Sequence, residues 1–452
     1  MSQHTLPPSL RKAARALGYA DIMVGIPSYR SEATIGHVAR AAQAGLVQYF
    51  PDLRPVLVNA DAGAPDRTQA VVATTEPPDY IERVMLVRPT NRLERLSLTY
   101  PEVDGVAGKG AALRTIFQLA DTLGIKALVV VDADLRSIMP EWIELLAGPI
   151  LKGGFDFVTP LYERHKWDGT ITNTITYPLT SVLYGLRIRQ PIGGDFGMSG
   201  DLVRHFLAQD DWTTDVSRYG IDIWMTLTTI SGGFAVCQAR LGTKVHDPKD
   251  PGSDLGPMFG QVVGTLMRVS AKQAGRWLEV RGVHDVPAYG FERFGIPPAV
   301  TVNVRQLLVQ FAGGWRASRP AWQDIADGQD VAAVHRLAGA AERAVEAPTA
   351  NDSRARRSIA RFRFPDALWA RLVYDVLLAV GRGGDPATTV EVLVPIYFAR
   401  VASLVVESRR LGPDQTEALV DRQVRAFMAA KPRLVARWKT EVASRPGADD
   451  GR

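Results

Sequence analysis

The chain has 452 residues, 46% of them hydrophobic, and its 53 Lys and Arg against 48 Asp and Glu leave a formal charge of +5. A chain of that length and apolar share buries a sizeable core over two or three domains. Because the basic excess is spread along the sequence, it serves phosphorylated small molecules as well as polyanions, and a single cysteine, Cys237, excludes an intrachain disulfide and a cysteine-based zinc site.

The first residues, MSQHTLPPSLRKAARALG, lack the apolar core of a signal peptide, and nowhere do about 18 uncharged apolar residues run together. The expected location is the cytoplasm, with no membrane and no nucleic acid as partner. Residues 1–20 read as an N-terminal extension. From Asp21 to about Leu161, short apolar runs alternate with helical patterns, the signature of a βαβ sheet. The expected strands are DIMVGI, RPVLVNA, RVMLVR, ALVVVDA and FDFVTPL. Between the first two, Ser31 and Glu32 open a helix that carries Ile35, Val38, Ala39 and Ala42 on one face. DAGAPD after the second strand is a turn. From Gly169 to Leu186 the pattern is helical, then come a glycine-rich turn in QPIGGDFG, a helix through YGIDIWMTLTTI, the strand GFAVCQARL and the loop TKVHDPKDPGSDLG. Cys237, inside that strand, reads as a small core residue.

After about Pro298 the β signals fade. VNVRQLLVQFAGGW, DALWARLVYDVLLAV and TVEVLVPIYFARVASLVVESRR read as helices, with a break at Gly381 to Pro386. The division expected is a catalytic α/β domain over 21–260, a mainly helical region over 261–443 and a disordered tail over 444–452. The concentrated basic run over Arg354 to Arg363 reads as a solvated loop before Phe364-Pro365.

Three places carry candidate chemistry. The run ALVVVDADLR ends in Asp132 and Asp134, two carboxylates with the same facing at the C-terminal end of a buried strand. That edge of an open α/β sheet is where ligands bind, and such a pair grips one hard divalent cation, which in turn holds a diphosphate; the plain alternative is two solvated aspartates at a loop. Gly108-Lys109-Gly110 opens the helix GAALRTIFQLA, where glycines let a phosphate approach backbone N–H groups and Lys109 adds a point charge. It is neither a Walker A loop nor a dinucleotide fingerprint, and a simple turn is the alternative. His246, in KVHDP, is either an exposed loop histidine or the imidazole that completes, with Asp132 and Asp134, the protein share of a Mg²⁺ or Mn²⁺ site.

Taken in order, IPSYRSE, NADAGAPDRT, GKGAALR, VVVDADL, QPIGGDFGMSGDL, RYGIDIWMT and KVHDP resemble the nucleotide-sugar glycosyltransferases of the GT-A fold, and within them the retaining mannosylglycerate synthases and glucosyl-3-phosphoglycerate synthases. The resemblance covers roughly Asp21 to Asp254, and the helices after Pro298 are similar in kind to the C-terminal helices of mannosylglycerate synthase. It implies a GT-A domain followed by a mainly helical region. It also implies a donor site of Pro27, Ser28, Glu32, Asp61, Lys109, Asp132 and Ala133, a metal site of Asp132, Asp134 and His246, and an acceptor site of Thr172, Asn173, Gly193 and Asp222. Asp195 falls near the donor sugar and Asp222 near the reacting centre; with Lys109 they form the implied catalytic set, although each aspartate also reads as a helix cap or a buried structural carboxylate.

The co-substrate expected from the resemblance is UDP-glucose or GDP-mannose with Mg²⁺ or Mn²⁺. The acceptor is a small carboxylate, and association into a homo-oligomer stays open. The phosphoglycerate-using relatives have an arginine just before the position of Thr172, whereas this chain reads DGTITNTITYP, which brings hydrogen bonds and no charge to a phosphate. That favours D-glycerate over 3-phosphoglycerate, unless Arg164, Lys166 or Lys249 supplies the charge. The expected reaction is a retaining hexosyl transfer by front-side attack, yielding a compatible solute such as mannosylglycerate or glucosylglycerate. The alternatives are a glucosyl-3-phosphoglycerate synthase and an inverting GT-A transferase with Asp195 or Asp222 as general base. From a different class, a nucleotide-binding module without turnover is the remaining reading.

Overall fold

The computed structural model describes residues 6, 8–62, 64–75, 94–99, 108–212, 215–246, 255–292, 295–346 and 353–444. These fall into two compact units. The first comprises residues 1–164, 188–247 and 285–298, and the second 165–187, 248–284 and 299–452. The chain therefore divides at places other than residue 260. The segments 165–187 and 248–284 carry helices that pack with the C-terminal helices.

The first unit is built on β1 (Ile22–Ser28), β2 (Pro55–Asp61), β3 (Glu94–Thr99), β4 (Ala127–Val130) and β5 (Phe157–Glu163). Two short strands, β6 (Leu186–Arg187) and β9 (His284–Asp285), pair separately. The remaining strands of the main sheet are β7 (Phe196–Ser199), β8 (Val236–Thr243) and β10 (Ala288–Tyr289). The order across the eight strands is β10-β8-β5-β7-β4-β1-β2-β3. All pairings are parallel except those of β7, which runs antiparallel between β4 and β5. Every residue of β1, β2 and β4 is buried, as expected of parallel strands covered on both faces by helices. On one face, helices Ile35–Tyr49 and Glu141–Gly153 share a core with Val24, Val129 and Val158. Helix Lys109–Leu123 packs on β1 and β2, so closely that a Cβ on Gly25 would stand 2.7 Å from Ile116 Cγ2.

The strand expected at RVMLVR lies outside the described residues, whereas β3, absent from the sequence reading, is the edge strand beside β2. The helix between β1 and β2 starts at Ile35, not Ser31, and buries Ile35, Val38, Ala39 and Ala42 as expected. Its preceding Thr34 spends its hydroxyl on the carbonyls of Ser31 and Ala133. Cys237 is buried in β8, and burial pushes its thiol up to about 12, in keeping with a core role.

The second unit is helical. Helix Val304–Ile325 packs against Val394–Ser408 and Gly328–Val345, and helix Asp366–Gly381 against Pro413–Glu441. The basic run expected as a loop is mostly helix, Ser353–Ala360, since Arg and Ala propagate a helix well. The stretch Pro386–Ser408 is long and apolar enough by composition to cross a membrane, but 67% of its most apolar window is buried. Within it, Arg400 is fully buried and forms ion pairs with Asp366 at 2.8 Å and Glu407 at 3.2 Å. That is the setting of a core helix.

Candidate active site

Because β2 lies on one side of β1 and β4 on the other, the crevice at the carboxyl ends of β1 and β4 is a topological switch point, where open α/β sheets bind ligands. Asp132 emerges there, two residues beyond β4. Its Oδ1 is 2.8 Å from Lys109 Nζ and its Oδ2 is 3.0 Å from Lys244 Nζ. Lys109 also reaches Asp222 Oδ1 at 3.1 Å, and Lys244 reaches Asp195 Oδ2 at 3.0 Å and donates to the Gly193 carbonyl at 2.8 Å. Asp195 Oδ1 accepts the Asp132 backbone N–H at 2.8 Å, and its Oδ2 accepts the Tyr162 hydroxyl in a short hydrogen bond. The site is thus one connected cluster of two lysines, three aspartates and a tyrosine.

Each group arrives by a local device. Lys109 is the first residue of its helix, where a cation opposes the helix dipole, and Asp132 and Asp222 offset that. Asp222 occupies the first turn of helix Ile221–Ser231, a position that favours a carboxylate. Asp195 immediately precedes β7. Gly194 beside it has φ +91° and lies so close to Asp132 that a Cβ would stand 2.0 Å from Asp132 Oδ2, so only glycine fits. Where β5 pairs with β8 the register shifts between Leu161 and Tyr162, placing Tyr162 opposite Gly242; bulges of this kind re-aim side chains beside sites.

Electrostatics separate the carboxylates. Burial disfavours ionisation of Asp132, yet Lys109 and Lys244 outweigh it and hold that carboxyl well below its usual range. Burial pushes Asp195 and Asp222 upward, with Lys244 and Lys109 respectively opposing it and Asp132 adding to it. Both lysines are burdened by burial but held charged by the aspartates. The result is an Asp132 that ionises more readily than free aspartate between two cations, with two carboxyl groups beside it that take up protons more readily.

The glycines of Gly108-Lys109-Gly110 do not cradle an anion. The N–H of Gly110 donates to the Arg218 carbonyl at 3.3 Å and that of Ala111 to the Ser217 carbonyl at 3.0 Å. A Cβ on Gly110 would stand 1.8 Å from the Val216 carbonyl oxygen. Absence of a side chain here lets the helix start dock on the 216–218 backbone, and only the lysine serves the site.

The three-ligand metal set of Asp132, Asp134 and His246 is not assembled. Both oxygens of Asp132 face ammonium groups, and among the described residues no three His, Cys, Asp or Glu side chains gather as ligands. The donors as arranged do not fit a three-ligand cation site, because Lys109 and Lys244 engage both oxygens of Asp132. Asp134 and His246 do lie on adjoining loops, joined by Arg136 N–H to the Val245 carbonyl and Val245 N–H to Ser137 Oγ, each at 2.9 Å.

Of the remaining donor residues, Pro27, Ser28 and Asp61 stand at the carboxyl ends of β1 and β2. Asp61 is fully buried and accepts from Ser28 Oγ at 2.9 Å, Ala64 N–H at 2.8 Å and Gln69 Nε2 at 3.0 Å, so it knits the strand ends together. Glu32 accepts the Arg67 N–H, and the Ala133 carbonyl accepts from Thr34. Gly193 packs on Pro160, with no room for a Cβ. Thr172 and Asn173 belong to the second unit, where they open a π-turn over Thr172–Thr176. The Asn173 carbonyl accepts from Gln423 at 3.0 Å and the Thr174 carbonyl from Trp369 at 2.6 Å. Sequence reasoning missed Lys244 and Tyr162. A lysine at a strand end reads as solvated, and the only signal was its place two residues before His246.

An α/β unit with this sheet and this edge site resembles the GT-A fold. Residues 74–261, which include Lys109, Asp132, Asp195, Asp222 and Lys244, match the family model for mannosylglycerate synthase, GT domain. Among solved structures, glucosyl-3-phosphoglycerate synthase from Mycobacterium tuberculosis in complex with phosphoglyceric acid is 26% identical over 57% of this chain and 82% of that one, with a TM-score of 0.44. The same enzyme in complex with Mg²⁺ and uridine diphosphate is 24% identical over 59% of this chain and 85% of that one, with a TM-score of 0.43. Comparison with curated proteins gave no match.

Proposed function

We propose that this protein transfers a hexosyl group, with retention, from a nucleoside diphosphate sugar to the hydroxyl of a small hydroxy acid of the D-glycerate type. The observation that carries the reading is Lys109, held between Asp132 and Asp222 at the switch-point edge inside the segment that matches the mannosylglycerate synthase model. As the sugar–oxygen bond breaks, negative charge builds on the departing diphosphate. A largely enclosed ammonium aimed at that edge stabilises it more than it would in water. Asp132 and Asp222 hold Lys109 in place and charged before the donor arrives, so little reorganisation is needed at the moment of reaction. Front-side departure, with the leaving diphosphate accepting the acceptor proton, asks the protein chiefly to position the two substrates and exclude water.

The reading includes a preference for D-glycerate over 3-phosphoglycerate of at least about tenfold, roughly 1.4 kcal/mol, because the neutral Thr172 and Asn173 replace an arginine of the phosphoglycerate-using relatives. The test is a screen of UDP-glucose and GDP-mannose against D-glycerate, 3-phosphoglycerate and glucosylglycerate, with the anomer of the product assigned by NMR. An α-linked glycerate product supports the reading. A β-anomer would replace it with an inverting mechanism, and no turnover with any pair would leave a nucleotide-binding module.

A further inference from the structure

We infer that Lys244 is a positioning residue of the transfer reaction, a clamp that fixes Asp132 and Asp195 relative to each other and to Lys109. The inference rests on the transferase reading above. One nitrogen, Lys244 Nζ, meets three acceptors from two separate chain segments: Asp132 Oδ2 at 3.0 Å, Asp195 Oδ2 at 3.0 Å and the Gly193 carbonyl at 2.8 Å. Its side chain is only 4% exposed, so it acts through its partners and not on a substrate. Both carboxylates it holds are engaged further. Asp132 presents its other oxygen to Lys109, and Asp195 receives the Tyr162 hydroxyl and the Asp132 N–H. Two carboxylates that share one ammonium, one of them fully buried, repel unless a cation sits between them. Without Lys244, either they separate, carrying Lys109 and the Gly193-Gly194-Asp195 turn with them, or one takes a proton and gives up its hold.

The ammonium also lies 5.0 Å from the centre of the Tyr162 ring, the residue that the β5–β8 register shift brings to this place. Tyr162, Lys244 and Asp195 therefore form one support behind the Asp132–Lys109 pair. The strands that carry this support, β5 and β8, are already paired on both sides. The consequence of the support is geometric: it sets where Lys109 stands when a diphosphate leaves.

The experiment measures kcat and the two KM values for wild type, Lys244→Met, Lys244→Arg, Asp195→Asn and the double variant Lys244→Met/Asp195→Asn. The double variant removes the buried charge that the single methionine variant leaves behind, so it tests the idea even where Lys244→Met does not fold. The expected result is a kcat at least 100-fold lower in Lys244→Met with donor KM within about threefold of wild type. Lys244→Arg, which keeps the charge, should recover at least tenfold of that loss, and the double variant should lie within threefold of Asp195→Asn alone. A folded Lys244→Met with kcat within threefold of wild type would overturn the clamp, as would a double variant more than tenfold below Asp195→Asn. Wild type without turnover would overturn the transferase reading and the clamp with it, whereas an active wild type with indifferent variants would overturn the clamp alone.

Discussion

Replacing Lys109 by methionine keeps most of the aliphatic stem and removes an ammonium 2.8 Å from Asp132 and 3.1 Å from Asp222. Asp132 retains Lys244, but Asp222 loses the cation in contact with it, and burial already pushes its carboxyl above the ordinary value of 3.8. In the variant the least costly response is for Asp222 to hold a proton. At pH 7 that costs about 1.4 kcal/mol for each of about 3 pH units, or roughly 4 kcal/mol relative to the unfolded chain. This agrees with the ~3–5 kcal/mol typical of breaking a buried ion pair. The folded variant then binds a proton that the unfolded chain has released, so its stability falls as pH rises above 3.8. Because Asp222 is already raised in wild type, the loss relative to wild type should be larger at pH 7 than at pH 5 and reach at most about 4 kcal/mol at pH 7. Urea unfolding of both proteins at the two pH values measures it. A difference below about 1 kcal/mol at pH 7, or one equal at both values, would refute the reasoning.

Gly194→Ala should abolish turnover and cost at least about 2 kcal/mol, since the new Cβ meets Asp132 Oδ2 at 2.0 Å from a backbone at φ +91°; circular dichroism melts and initial rates report both. In the second unit, burial pushes Asp375 up to about 6 against the pull of Arg433 and Arg437. Its folded form therefore binds a proton that the unfolded chain releases, and stability should decline by up to about 3 kcal/mol between pH 4 and 6, a slope that Asp375→Asn removes in urea titrations across that range. Burial lowers Lys431 to about 8, while its ammonium donates to the carbonyls of Val182 and Val280. Here the unfolded chain keeps the proton longer, so unfolding free energy should rise from pH 8 to 10 in wild type and stay flat in Lys431→Met.

Local pattern made most of the first unit legible. ALVVVDADLR reads as a buried strand with acids at its end because parallel strands covered on both sides are uniformly apolar, and β4 is that strand. Gly-Lys-Gly was legible as a helix start, but its purpose was not: nothing in the sequence says that the 216–218 backbone comes to lie against it. The four-residue β7 is too short to show alternation, so its antiparallel insertion stayed hidden inside an expected turn. Lys244 was hidden for a different reason, since a buried lysine is recognisable only once its carboxylate partners, 49 and 112 residues away in the chain, are known to surround it. Helix Pro413–Glu441, whose alternating charges and mid-helix Pro432 mask its buried stripe, was likewise invisible to periodicity.

The reversed direction of β7 has a consequence for how such a molecule changes over time. A sheet whose strands all run one way can offer its working edge only the ends at which chain leaves. Here one strand enters at that edge, so the segment ahead of it, residues 188–195, delivers Gly193, Gly194 and Asp195 to the cluster on the way in. That segment bears on what surrounds Asp132 while forming no part of the sheet's strands. Insertions or substitutions over 188–192 would reshape the room beside the carboxylates and leave every strand pairing as it is. One scaffold could in this way exchange the small molecule it accepts in a few steps.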